Sequence, residues 1–338
     1  MATERRLKIC LIGLGRLGAI RAGILAFQQP RIELVAACDT KPGTAEWAKE
    51  NLPPTVKHFS DPEDCMRNSG AEAVLISTAT ATHAPLIMLA LDLGLDRNAD
   101  FGGKDDDSFR SAKKMVEAGS LGEIHAVETT CLDQQDPTGF FVTFSAQSGG
   151  VFVDMGVHDI DIGRFYLGVK SGLSNPKKQV NRVIAFGQQA VYADLAKYGD
   201  CDNGWGIVEF ANGKILTTHV GRTLKNGFEG TARICGTKSH AIVSGNSNAD
   251  RVEIRDEHGV RTNTTPDAFA LYDKSFLNDL SEFATAVLDD KQLTCNPEDA
   301  YEAAKIATAL QFSFRNRCPV YFDEDGMPIM EAPQTNGH

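Results

Sequence analysis

The sequence has no long apolar run: no window approaches the roughly 18 uninterrupted apolar residues that a membrane helix needs, and Arg16 interrupts the stretch Ile9 to Ile20 that would otherwise pass for a signal segment. No membrane association is therefore expected. The chain also lacks a basic excess. Thirty-four Lys and Arg against forty-five Asp and Glu leave a net charge of −11, which repels a phosphate backbone unless basic residues cluster, and none do. A nucleic-acid partner is not expected. Nor are the cysteines paired. The eight stand at 10, 38, 65, 131, 201, 235, 295 and 318, without C-x-x-C or matched spacing. Neither a disulfide framework nor a zinc site follows, and a reducing, cytoplasmic setting is expected. Internal repeats and low-complexity blocks are absent as well. What is present, 42% hydrophobic and 23% charged residues over 338 positions, is enough for two buried cores.

The first part of the chain alternates short β-branched runs with helical periodicity, the pattern of βαβ units around a parallel sheet. Strands are expected at Lys8–Ile12, Ile32–Cys38 and Ala73–Ser77, with helices at Leu17–Phe27, Thr44–Asn51, Pro62–Asn68 and Thr82–Leu93. From Ile124 onward the segments lengthen and hairpin signals appear at Ala211-Asn212-Gly213 and Glu257-His258-Gly259. The fold class is α/β, a Rossmann domain over residues 1–122, followed by an α+β domain over 123–338 built on an antiparallel sheet. The tail after Phe322 reads as an arm or frayed end.

Gly13-Leu14-Gly15-Arg16-Leu17-Gly18 matches G-x-G-x-x-G between an apolar strand and a helix. Gly13 permits the tight turn, Gly15 lets backbone approach a pyrophosphate, and Gly18 lets helix pack on strand, so that phosphate charge meets the helix N-terminus. Asp39 lies at the end of the next strand, where a carboxylate accepts hydrogen bonds from ribose hydroxyls. That favours NAD. NADP stays open, because Lys41 or Arg16 can meet a 2′-phosphate. At the end of the third strand, Thr78, Thr80 and His83 are candidate cofactor neighbours, with helix capping as the alternative role for His83.

In Gly149–Asp161 (GGVFVDMGVHDID) a helix would put Asp154, His158 and Asp161 at i, i+4 and i+7 on one face. A carboxylate beside an imidazole is a workable acid–base pair. Oxidation of an alcohol needs a group to take the hydroxyl proton as hydride leaves carbon, and histidine suits that task near neutral pH. Asp161 or Asp154 would hold its tautomer. The alternative is a capped helix with a buried, satisfied polar row. A metal site is not expected, since His83, His125 and His158 show no ligand spacing.

Taken together, GLGRLG, Asp39, STATATH at 77–83, KKMVEAGSLGEIHAV at 113–127, GGVFVDMGVHDID, FANG at 210–213 and GTKS at 236–239 resemble the Gfo/Idh/MocA oxidoreductase family over nearly the whole chain. The resemblance implies an NAD(P)-dependent oxidoreductase acting on a secondary hydroxyl of a cyclitol or sugar, inositol dehydrogenase among them. It implies that Asp154 and His158 match the acidic residue and the catalytic histidine of a GGxxxDxGxH motif. It also implies that the second domain is built on a large open antiparallel sheet, and a homo-oligomer packed through that sheet.

One departure accompanies these matches. The resemblance implies a strand carrying Glu-Lys-Pro, then a helix and another strand, after the helix ending near Gly94, whereas this chain has the polar linker Leu95–Asp105 (LDRNADFGGKD). The parallel sheet is therefore expected to be truncated. The lysine that the family uses to polarise the hydroxyl is missing, and Lys104 beside a glycine pair is a poorly preorganised substitute. A non-catalytic NAD or sugar binder, or an inactive truncated isoform, is the second reading.

Overall fold

The computed structural model describes residues 5–79, 82–99, 104, 106–170, 177–243, 248–257, 259–294 and 297–331. The chain divides into two compact units, Met1–Asp105 with Lys274–Thr294, and Asp106–Asp273 with Cys295–His338. This partition differs from a single cut after residue 122: the helix after the linker joins the second unit, and a late helix returns to the first.

In the first unit, among the described residues, β1 (Leu7–Ile12), β2 (Ile32–Cys38), β3 (Lys57–Phe59), β4 (Ala73–Ile76) and β5 (Asp96–Ala99) form a parallel sheet in the order β3-β2-β1-β4-β5. The helices α1 (Arg16–Phe27), α2 (Thr44–Asn51), α3 (Pro62–Asn68) and α4 (His83–Asp92) connect them. All four residues of β4, Ala73–Ile76, are buried, as both faces of a parallel sheet require. Asp61 starts α3 by accepting from the Asp64 N–H at 2.7 Å, with Pro62 in the first turn. The late helix α10 (Asp273–Asp289) is tied to this unit by polar contacts: Arg21 to Asp279 at 3.3 Å, the Gln29 amide to the Leu277 carbonyl at 2.7 Å, and a two-pronged Arg31–Asp289 pair.

The linker corrects one expectation. Residues 96–99, expected to be part of a polar linker, pair with β4 in parallel, Ala73 with Asp96 through Ile76 with Ala99. Backbone groups along the open side of β4 need partners whatever side chains the partner carries, and an edge strand can be polar.

The second unit is mixed rather than antiparallel. Its elements are α5 (Asp107–Glu117), β6 (Ile124–Gln134), α6 (Phe140–Ser148), α7 (Val151–Asp154), α8 (Gly156–Leu167), β7 (Val180–Gln188), β8 (Asn203–Phe210), β9 (Ile215–Leu224), β10 (Glu229–Gly236), β11 (His240–Val243), β12 (Asn248–Asp256), β13 (Gly259–Thr264), α9 (Ala268–Leu271), α11 (Pro297–Asn316), β14 (Val320–Phe322) and β15 (Pro328–Ile329). The main sheet runs β11-β10-β6-β9-β8-β7-β14-β15. Within it β6 and β9 are parallel neighbours, and the other pairings are antiparallel. Both anticipated hairpins form: Gly213 turns β8 into β9 with φ near 82°, and β12 pairs with β13 as a separate ribbon. The tail is not frayed as far as residue 331, because β15 folds back on β14, Tyr321 opposite Ile329.

Alternation decides which face of this sheet is covered. Val183, Val208, Leu216 and Val220 are buried against Ile160, Tyr166 and Leu167 of α8 and Ile306 and Leu310 of α11. Phe186, Trp205, Ile207, Ile242 and Tyr321 are exposed. We expect Leu310→Ala to cost about 2–5 kcal/mol in urea denaturation through the cavity it leaves, while Ile207→Ala changes the stability of the isolated chain by about 0.5 kcal/mol or less.

Candidate active site

In the first unit the candidate residues gather at the turn after β1. Gly13 has φ near 100°, and its N–H donates to the Cys38 carbonyl at 2.7 Å. A Cβ at Gly13 would stand 2.5 Å from the Ser77 carbonyl oxygen, and one at Gly18 only 2.0 Å from that of Gly13. Glycine is thus required at both positions, on one side by the neighbouring strand and on the other by the helix. A Cβ at Gly15 would meet nothing within 4 Å, so the space there is open to a ligand. No side chain caps α1 and no acidic residue lies in its first turn. The N–H groups around Arg16, Leu17 and Gly18 at the start of that helix form an anion cradle that fits a pyrophosphate.

Asp39 stands at this cradle. One carboxylate oxygen accepts from the Leu14 N–H at 2.7 Å and the other from the Lys41 N–H at 2.8 Å. The acid is thereby fixed at the end of β2 with lone pairs left for ribose hydroxyls, and its charge opposes a 2′-phosphate. These residues fit NAD. After β4, the Thr78 side chain lies beside Gly13, 3.0 Å from where a Cβ would be. The ring of His83 donates to the Thr78 carbonyl at 2.9 Å, and the Thr82 hydroxyl donates to that of Thr78 at 2.7 Å. In the structure His83 bonds this turn, and no side chain caps the start of α4. Thr80 lies outside the described residues.

A second set of candidate residues belongs to the other unit and departs from the helix expected over 154–161. Asp154 ends α7, and a separate helix, α8, starts at Gly156. The Val151 N–H donates to the Asp200 carboxylate at 2.9 Å and the Phe152 N–H to the Gln311 side chain at 3.2 Å, so buried groups from elsewhere anchor the start of α7. The break is the single residue Met155, and the three polar side chains differ in their surroundings. Asp154 accepts from the Arg222 guanidinium, Asp161 is buried, and the His158 ring is exposed. Among the described residues the His158 ring has no hydrogen-bond partner, so neither carboxylate sets its tautomer here.

Two groups that the pattern of the motif does not single out complete this set. Arg222, on β9, places its guanidinium 4.4 Å over the Phe141 ring and 4.0 Å from Asp133. Its position was legible in principle: Leu216, Thr218 and Val220 point inward, and Arg222 continues their alternation. Asp159 is buried beneath α8, where desolvation pushes its carboxyl up to about 7 against the opposing hydrogen bonds from Thr129 and Cys131. The Cys131 thiol is itself pushed up, first by burial and then by Asp159. The signal for Asp159 is its spacing with Ile162 and Tyr166, both buried on the same side of the helix. Lys104, expected on a flexible stretch, is buried.

Two outcomes follow from this geometry. Asp39→Asn removes the charge that orients the ribose, and titration calorimetry should show NAD binding weakened about ten- to hundredfold, the worth of a charge-assisted hydrogen bond. Because folding raises the carboxyl of Asp159 above its unfolded value near 4, the stability it contributes is complete below about pH 4 and is lost as pH climbs to about 7. The wild type should therefore lose up to about 1.4 kcal/mol per pH unit across that window relative to Asp159→Asn. Parallel curves in urea denaturation at pH 4.5 and 6.5 would remove this assignment.

Comparison with known proteins covers both units. Residues 7–96 match the Gfo/Idh/MocA family model described as the NAD-binding Rossmann fold of an oxidoreductase family, and residues 113–322 match that family's C-terminal alpha/beta domain. The chain is 27% identical to scyllo-inositol 2-dehydrogenase (NAD(+)) of Bacillus subtilis, covering 95% of this chain and 97% of the relative. It is 27% identical to myo-inositol 2-dehydrogenase of Thermotoga maritima, covering 94% and 99%. Among solved structures, scyllo-inositol dehydrogenase from Lactobacillus casei with bound NAD(H) and scyllo-inositol superposes with a TM-score of 0.86 at 26% identity, covering 94% of this chain and 99% of that one. With an NAD-binding Rossmann unit at its N-terminus and the family's second domain over most of the remainder, the chain belongs to the Gfo/Idh/MocA oxidoreductase family.

Proposed function

We propose that the protein is an NAD-dependent dehydrogenase that oxidises a secondary hydroxyl of a cyclitol or sugar, reversibly. The observation that carries this reading is the division of groups between the units. The first unit offers a pyrophosphate cradle with the ribose acid Asp39 fixed beside it. The second offers an exposed imidazole, His158, four residues after a carboxylate already anchored by a cation.

NAD, when bound, supplies the two-electron hydride acceptor. His158 takes the hydroxyl proton as the C–H bond breaks, so that the alcohol loses one hydride and one proton and becomes a carbonyl. Asp154, fixed by Arg222, accepts a hydrogen bond from the substrate and orients the ring. Gly13, Leu14, Gly15, Arg16, Leu17 and Gly18 seat the pyrophosphate, and Thr78 lines the same turn.

A second reading, an NAD or polyol binder without turnover, is favoured by one observation: the chain contains no Glu-Lys-Pro lysine. Lys104 is buried and belongs to the first unit, where its side chain is a candidate replacement. Assembly into a homo-oligomer through the open sheet face is supported by the exposed Phe186, Trp205, Ile207 and Tyr321. The cytoplasm suits the chain, since the described cysteines are free and no described helix is long and apolar enough to cross a membrane.

Purified protein should reduce NAD with at least one member of a panel of cyclitols and aldoses. His158→Ala should lower kcat by about 10²–10⁴-fold while leaving NAD binding unchanged by calorimetry. NAD binding without turnover on any member of the panel selects the second reading.

A further inference from the structure

We propose that Arg222 is the positioning residue of the substrate half-site: it fixes the Asp154 carboxylate where a polyol hydroxyl meets it. The inference rests on the reading of that half-site as a polyol site, and it adds a residue to which no role has been given.

The case begins with how Arg222 is held. Its backbone N–H donates to the Asp202 carbonyl at 2.9 Å. The Asp202 carboxylate in turn gathers the N–H groups of Ala190, Val191 and Tyr192 at 2.7–2.9 Å. The Tyr192 hydroxyl accepts from the Asp136 N–H at 2.7 Å, and the Asp136 carboxylate accepts from the N–H groups of Thr138 and Phe141. The Phe141 ring lies 4.4 Å from the guanidinium. These contacts close a circuit from Arg222 through two aspartates and a tyrosine back to the ring that covers Arg222. A guanidinium is seldom so fully determined by chance, and its planar fork transmits that rigidity to its partner.

The circuit delivers one exposed product. One terminal guanidinium nitrogen is shielded from water and has no hydrogen-bond partner among the described residues, while the guanidinium as a whole lies over the Phe141 ring. The other terminal nitrogen is bonded to Asp154. An ion pair this desolvated returns little net stability, because the cost of stripping both charges offsets their attraction. Its effect is geometric: Asp154 cannot rotate, and it remains partly accessible at 17% exposure, four residues before the exposed His158. A fixed anion next to a proton acceptor is what orients a ring bearing several equivalent hydroxyls so that one of them is presented for oxidation.

The test is a double-mutant cycle read by binding as well as turnover. Scyllo-inositol, or the panel member bound most tightly by the wild type, is titrated into enzyme saturated with NADH. Asp154→Asn and Arg222→Met should each weaken binding about ten- to hundredfold, and the double variant should be no weaker than the worse single one. Arg222→Lys should recover only part of the loss, and added methylguanidinium should restore binding to Arg222→Ala. That rescue would not follow from a purely structural role. Unchanged NADH affinity and thermal unfolding confirm that the variants are folded. Losses that multiply in the double variant, or normal polyol binding by Arg222→Met, overturn the proposal. Wild-type binding without turnover defeats the dehydrogenase reading while leaving Arg222 in its role, and a wild type that binds no polyol defeats both.

Discussion

The hydrogen bond from the Leu14 N–H to the Asp39 carboxylate is the contact on which the first unit depends. It joins the turn after β1 to the end of β2. On the opposite side the same turn presses against Ser77 at the end of β4, whose carbonyl leaves no room for a Cβ on Gly13. The turn is wedged between two strands because the sheet order places β1 between β2 and β4. That is the switch point of a doubly wound sheet, where connections leave in opposite directions and a crevice opens. Sheet order thus creates the crevice, the wedge shapes the turn, and the carboxylate gives it a preference for ribose hydroxyls.

The half-site of the first unit was legible because its determinants are local. A glycine with positive φ, a helix start without a side-chain cap and an acid at a strand end all lie within about forty residues of chain, and their spacing carries their geometry. The linker at 96–99 was not legible, for a reason that lies outside its own sequence. What orders it is the unpaired edge of β4, and a strand recruited by backbone groups leaves no apolar alternation to read. The same limit applies at β6 and β9, whose parallel pairing joins segments about ninety residues apart.

The second half-site shows the other kind of failure. Spacing of four and seven residues in GGVFVDMGVHDID does encode a helix face, and the periodicity is real. The helix is nevertheless interrupted at Met155, and its start is anchored by Asp200 and Gln311, distant in sequence, which accept the Val151 and Phe152 N–H groups. Sequence spacing can state which residues would share a face, but not whether the helix is continuous. Consequently the spacing of the motif does not give the partner that Asp154 has in the structure. The partner of Asp154 comes from β9, on which alternation points the side chain of Arg222 inward.

How His158 is aimed follows from what lies beneath it. Its ring is exposed and has no hydrogen-bond partner among the described residues, so its direction derives from the backbone of α8 alone. Successive residues on a helix are rotated by about 100°, which turns Asp159 inward as His158 turns outward. Asp159 then meets Thr129 and Cys131 of β6 in a desolvated setting. One turn further on, Gly163 brings the helix against Leu216 of β9, where a Cβ would be 2.5 Å from the leucine side chain. The Tyr166 hydroxyl fixes the far end by donating to the Phe109 carbonyl at 2.9 Å. A helix pinned at three successive turns can present a single free imidazole without gripping the imidazole itself. A neutral ring presented in this way has one lone-pair nitrogen free, which is all that a proton acceptor needs.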